Sequence, residues 1–188
     1  MSLEFDHLVV AARSLEEGSL WIVSRLGVPM VPGGKHATMG THNRLVSLGH
    51  RRFLEVIAID PEAPAPARAR WFALDSPMMR ARLERGPALV HWVMRTDDLE
   101  GALCDYRESV EVLDLERGEY RWRIGVPRDG RLPCGGDCPT LIQWLGGLHP
   151  GDRLPDSGCM LVDLGRESGE ALFSTPSGRR TLAWSRPE

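Results

Sequence analysis

The sequence predicts an α+β fold in which two βαβββ modules form one curved, partly closed mixed sheet around a pocket, with a C-terminal strand extension. Three observations carry that expectation. The opening strand returns: His7-Leu8-Val9-Val10 matches His91-Trp92-Val93-Met94 at a spacing of 84 residues, and Leu15-Glu16 matches Leu99-Glu100 at the same spacing. The closing strand returns too, since Phe53-Leu54-Glu55-Val56 corresponds to Leu141-Ile142-Gln143-Trp144 at a spacing of 88. Finally, each copy passes from an apolar β-branched run to a helical period and back to strands.

Taken in order, residues 5–11 (FDHLVVA) read as a buried strand. Ser14 with Glu17 forms a capping box, Leu15, Trp21, Ile22 and Leu26 recur with helical period, and Gly27 stops the helix. Pro32, Gly33, Gly34 and Gly40 mark a loop, followed by strands at 43–48 and 52–59. These elements make a first module over 1–60. A linker and short helices fill 61–87: 60–70 is rich in proline and alanine, and 71–85 reads as helical with an interruption at Pro77. The second module spans 88–148, with a strand at 88–95, a helix from 99 to about 106 capped by Thr96-Asp97-Asp98, and strands at 110–115, 120–126 and 140–145. Residues 149–188 are read as an extension packed on the sheet, with short strands at 160–164, 171–174 and 181–184.

Composition narrows the function classes. With 188 residues, 42% hydrophobic and 26% charged, the chain has enough apolar material for a packed core. A net charge of −3 provides no basic footprint for nucleic acid or an anionic membrane. No apolar run is long enough to span a bilayer, and the first residues lack the pattern of a secretory signal, so a cytoplasmic location is expected. Lys35 is the only lysine among 23 basic residues, a bias that fits a GC-rich, bacterial coding sequence. The four cysteines are expected to be reduced in that compartment, and Cys134 and Cys138 form only one spaced pair, too few for a structural zinc site.

The repeat places His7, Glu55, His91 and Gln143 at corresponding strand positions, each amid apolar neighbours. An unpaired polar group in such a place costs about 1–3 kcal/mol, so one shared site explains four of them better than four accidents. Two imidazoles, a carboxylate and an amide are able to surround a divalent ion such as zinc, nickel, iron or manganese. Glu55 is a candidate base, and His42 and His36 are candidate proton carriers. His36, Thr41, Asn43, Trp92, Arg123 and Trp144 are candidates for contact with a substrate, against simpler roles as turn formers, core residues or, for Arg123, an exposed ion pair.

The motifs Gly33-Gly34-Lys35-His36 and Gly40-Thr41-His42-Asn43, with the FDHLVV opening, Arg52-Phe53-Leu54-Glu55 and Leu141-Ile142-Gln143-Trp144, resemble glyoxalase-like proteins of the vicinal-oxygen-chelate superfamily. The resemblance covers roughly residues 3–150. It implies the paired-module fold, a small-molecule pocket, and metal positions at His7, Glu55, His91 and Gln143. Glyoxalase I and similar epimerases carry a carboxylate at the last position, and an amide takes no proton at neutral pH. Gln143 is therefore a departure, and it weighs against lactoylglutathione lyase activity. Three classes stay open: a metal-dependent lyase, isomerase or dioxygenase acting on a small oxygenated substrate; a metal-free protein that binds or sequesters a drug or antibiotic; and a structural or interaction protein. Homodimerisation is left open as well.

Overall fold

The computed structural model describes residues 2–104, 106 and 108–185. Eight strands form one sheet in the order β2-β3-β4-β1-β5-β8-β7-β6. They are β1 (Glu4–Ala11), β2 (Val31–His36), β3 (Thr41–Ser47), β4 (Phe53–Ile59), β5 (Ala88–Arg95), β6 (Glu111–Arg117), β7 (Tyr120–Val126) and β8 (Thr140–Leu145). The order is a mirror about the β1–β5 pair. β1 and β4 run parallel, β5 and β8 run parallel, and β1 and β5 meet antiparallel. Duplication is thus visible in the topology as well as in the sequence. The sheet curls until its two ends, β2 and β6, come into contact.

Alternation along the strands divides the core into two layers. Val9, Ala11, Ile57, Val93, Trp122, Ile124 and Ile142 pack inside the curl. Leu8, Val10, Leu54, Val56 and Trp92 face outward, against Ile22 and Leu26 of α1 (Leu15–Leu26) and Phe173 and Leu182 of the C-terminal segment. Helix α1 starts and ends as expected: Ser14 accepts the Glu17 N–H, and Gly27 takes a left-handed φ of 71°. Gly18 lets it lie close on the sheet, because a Cβ there would overlap Val56. α3 (Leu99–Cys104) covers the second half through Leu99, Ala102 and Leu141. The expected helix end near 106 includes residue 105, which lies outside the described residues. Strands β9 (Met160–Asp163), β10 (Glu170–Thr175) and β11 (Gly178–Ala183) form a separate small sheet, tied to β5 where Ser185 donates to the Leu89 carbonyl.

Three expectations need correction. The glycine- and proline-bearing stretch before His36 is an edge strand, β2, rather than a loop. An edge needs ladder bonds on one side only, which tolerates Pro32, and a register shift between Pro32 and Gly34 absorbs the irregularity. Pro77 opens helix α2 (Pro77–Glu84) instead of interrupting one: Ser76 caps it, and the missing proline N–H is not needed in the first turn. Cys134 and Cys138, expected as thiols, are joined in a disulfide. The turn at Pro133–Gly136, with Cys134 itself left-handed at φ 51°, brings their Cα atoms to 5.4 Å. Cys104 and Cys159 are free. No helix among the described residues is long and apolar enough to cross a membrane.

Candidate functional site

The inner face of the curl holds a connected set of buried polar side chains beneath aromatic walls. It begins at Asp6, which is fully buried. The β1–β5 register shifts between Phe5 and His7, taking Asp6 out of the alternation and allowing it to meet its neighbour. Asp6 Oδ1 binds His7 Nδ1 at 2.5 Å, while Oδ2 accepts from Trp144 Nε1 at 3.0 Å and from His149 Nε2 at 3.0 Å. His149 Nδ1 accepts the Gly151 N–H, which puts its proton on Nε2, facing Asp6.

The far side of the His7 ring faces Glu55, with Nε2 at 3.6 Å from Oε1. Asn43 donates to Glu55 Oε2 at 2.8 Å, and its own Oδ1 accepts from the Gly34 N–H at 2.9 Å and from Arg117 Nη1 at 3.2 Å. Arg117 Nη1 also donates to His36 Nε2 at 3.3 Å, so His36 carries its proton on Nδ1 and gives it to Thr41 Oγ1 at 3.1 Å. Thus Arg117, on the last strand of the sheet, reaches across to the first. The paired glycines make room for it. A Cβ on Gly33 would overlap Asn43 Oδ1, and one on Gly34 would sit 2.5 Å from Arg117 Cδ.

Charge within this set is sorted by its partners. Burial works against an imidazolium at His7, but the hydrogen bonds and charges of Asp6 and Glu55 outweigh it and raise His7 to about 9. Burial likewise opposes ionisation of Asp6 and Glu55. Both carboxyls are nevertheless held below their ordinary range, Asp6 by His149 and His7, Glu55 chiefly by His7. His36 goes the other way: burial pushes it down to about 4, leaving it neutral. At neutral pH the site therefore holds two anions, an imidazolium and a guanidinium.

Above this floor lies a cavity of about 40 Å³, walled by Phe53, Trp71, Phe72, Trp122, Trp144 and Pro150. A water needs roughly 10–15 Å³, so there is room for a small molecule. Phe72 and Ala73 are consecutive left-handed residues at φ 55° and 57°, pinned where Ala73 N–H meets the Gly130 carbonyl. This bend turns Trp71 and Phe72 onto the pocket.

Of the residues expected at the site, His7, His36, Asn43, Glu55 and Trp144 line the cavity, and Thr41 supports His36. The others lie elsewhere. His42 alternates outward on β3, toward Asp60. Trp92 packs in the outer layer, and Arg123 pairs with Glu100 and Asp114 near the surface. Gln143 lies between Ile142 and Trp144, both of which line the cavity, so it faces away and donates to the Asp97 carbonyl at 2.7 Å. Strand pairing shows why. Val9 lies beside Glu55 and Val93 beside Thr140, so the counterpart of Glu55 is Thr140. The buried His91 repeats the His7–Glu55 contact with Thr140, whose hydroxyl and N–H approach His91 Nε2 at 3.0 and 3.1 Å. That lone pair is thereby used, and burial pushes His91 down to about 3. The four residues expected to hold a divalent ion thus do not converge on one point. Among the described residues, no group of three or more His, Cys, Asp or Glu is placed to hold a metal.

Asp6, Arg117, His149 and the Trp71–Phe72 wall were not anticipated. Arg117 left a trace in the sequence: it follows Leu113 and Leu115 on the same strand face, an arginine where alternation calls for an apolar residue. Asp6 left none, because a register shift is invisible to alternation.

A duplicated, curled βαβββ sheet thus carries a polar corner on its inner face. Residues 5–171 match the glyoxalase-like domain family, and the chain belongs to it. A hypothetical protein from Staphylococcus aureus shares the fold at 16% identity, covering 99% of this chain and 87% of its own, with a TM-score of 0.58. Methylmalonyl-CoA epimerase from Mycobacterium tuberculosis is 19% identical over 75% of this chain and 86% of its own, with a TM-score of 0.46. A variant of the Streptomyces coelicolor epimerase, solved with 2-nitronate-propionyl-CoA, is 19% identical over 79% of this chain and 100% of its own, with a TM-score of 0.49. No curated protein matches by sequence.

Proposed function

We propose that the protein binds a small oxygenated molecule in the central pocket and moves a proton on it, with Glu55 as acceptor and His7 as donor. The observation that supports this is the opposition of the two groups, a carboxylate and an imidazole 3.6 Å apart beneath aromatic walls, with Asp6 and Glu55 holding His7 raised to about 9 against burial. In such surroundings charges act more strongly than in water. Proton removal beside a carbonyl leaves negative charge on oxygen, and a fixed imidazolium answers it. Asp6 holds the His7 ring from behind, Asn43 orients Glu55, and His36 and Trp144 contribute to the pocket that receives the substrate. Chemistry of the isomerase or lyase type fits these roles. No step is assigned to a metal, since neither His91 nor Gln143 lines the cavity that His7 and Glu55 share.

Exchange of carbon-bound protons into D2O tests the reading. With dihydroxyacetone and pyruvate followed by proton NMR, the protein is expected to accelerate exchange, and Glu55→Gln to remove about 100-fold or more of that acceleration. Absence of acceleration with any small carbonyl compound would count against it. A metal-free binder is the second reading, favoured by the engagement of Glu55 Oε2 by Asn43. It predicts ligand-induced thermal stabilisation with no exchange.

A further inference from the structure

Arg117 has more donors than the protein uses. A guanidinium carries five N–H groups, and the bonds to Asn43 and His36 both come from Nη1. Nε and Nη2 meet no acceptor among the described residues, and Arg117 forms no ion pair there. Both of its acceptors are neutral, an amide oxygen and an imidazole nitrogen. Yet the side chain is half-buried, lines the cavity, and is held in place across the gap between β2 and β6. A guanidinium withdrawn from water generally finds a carboxylate or phosphate to grip with two parallel bonds. Glu55, the carboxylate whose charge acts on Arg117, is engaged by Asn43 and faces His7.

We infer that the ligand is a short-chain carboxylate whose charged end is held by the free Nε and Nη2 donors of Arg117, with its remaining atoms in the aromatic cavity beside His7 and Glu55. This rests on the reading of the pocket given above and names the substrate class for it. Size is compatible with it, because a cavity of about 40 Å³ has room for the few atoms that a short-chain acid carries beyond its carboxylate. The wall is continuous, running from Arg117 through Asn43 and Glu55 to His7. A molecule gripped at one end would lie with its remaining atoms in the cavity that His7 and Glu55 also line.

Pyruvate and its neutral counterpart, methyl pyruvate, are the probes, with binding read by calorimetry and by thermal shift. Pyruvate is expected to bind the wild-type protein at least about tenfold more tightly than the ester. Arg117→Met should erase that preference and Arg117→Lys should retain part of it, with circular dichroism confirming that each variant is folded. Equal binding of acid and ester, or unchanged pyruvate binding by Arg117→Met, overturns the inference. Should Arg117→Met not fold, Arg117→Lys decides: a preference no weaker than wild type overturns the bidentate grip. Ester binding that is lost in Glu55→Gln, without any preference for the acid, defeats this inference alone. Failure of both probes to bind defeats it together with the pocket reading.

Discussion

Asp6 accepts from His7, Trp144 and His149 at once, and solvent does not reach a fully buried carboxylate to replace any of them. Asp6→Asn removes the charge and leaves donors facing an amide. A cost of about 3 kcal/mol is expected in denaturant unfolding, the scale for breaking a buried ion pair. In the same variant the His7 titration, followed by NMR, should move down from about 9, because the larger of its two anionic partners is gone. Gln143→Leu makes a contrast: it lies on the face away from the cavity, so ligand binding measured by calorimetry should be unchanged. His7 and Glu55 are legible in the sequence alone as polar residues set into apolar strands, because each interrupts a run of apolar neighbours. Their partners are not, because hydrogen bonds between distant strands leave no local signature.

Elements explain where reading by alternation went astray. Matching β4 to β8 by residue type put Gln143 opposite Glu55, whereas hydrogen-bond register puts Thr140 there. A slip of an odd number of residues turns a side chain to the other face, and here the slip is three. Strand β2 was hidden for a related reason, as its glycines serve side-chain clearance and not a turn. Gly33→Ala should therefore displace Asn43 and cost about 1–3 kcal/mol, read as a lowered midpoint in urea. Gly18→Ala should cost a similar amount by forcing α1 away from Val56. Helix α1, with a cap at Ser14 and a stop at Gly27, was readable in full because its signals lie within a few residues of each other.

For the whole molecule, stability should peak near pH 6.5. His36 and His91 are buried neutral, so the unfolded chain takes up protons first as pH falls below 6.5. Each then lowers stability by about 1.4 kcal/mol per pH unit, down to about 4 for His36 and about 3 for His91. Below the ordinary carboxylate range Asp6 and Glu55 add to the loss, since they remain ionised in the fold. Above 6.5 the sign reverses. His7 stays protonated only in the folded state, and its contribution fades as pH climbs to about 9. Thermal melts across pH 4–9 would show this dome, and a flat profile would contradict the charge assignments. The duplicated architecture was legible as a whole because repetition is a long-range signal carried by sequence identity itself. The curvature was expected too, but the contact that closes it, Arg117 of β6 reaching His36 on β2 and Asn43 on β3, was not, because a bond between distant strands leaves no local pattern. Neighbouring strands elsewhere in the large sheet are laced by backbone ladders, but β2 and β6 are not. Parting them would break the two Arg117 bonds and the His36–Trp122 ring contact and leave every strand–strand ladder whole, so at the mouth of the cavity the large sheet is closed by side chains alone.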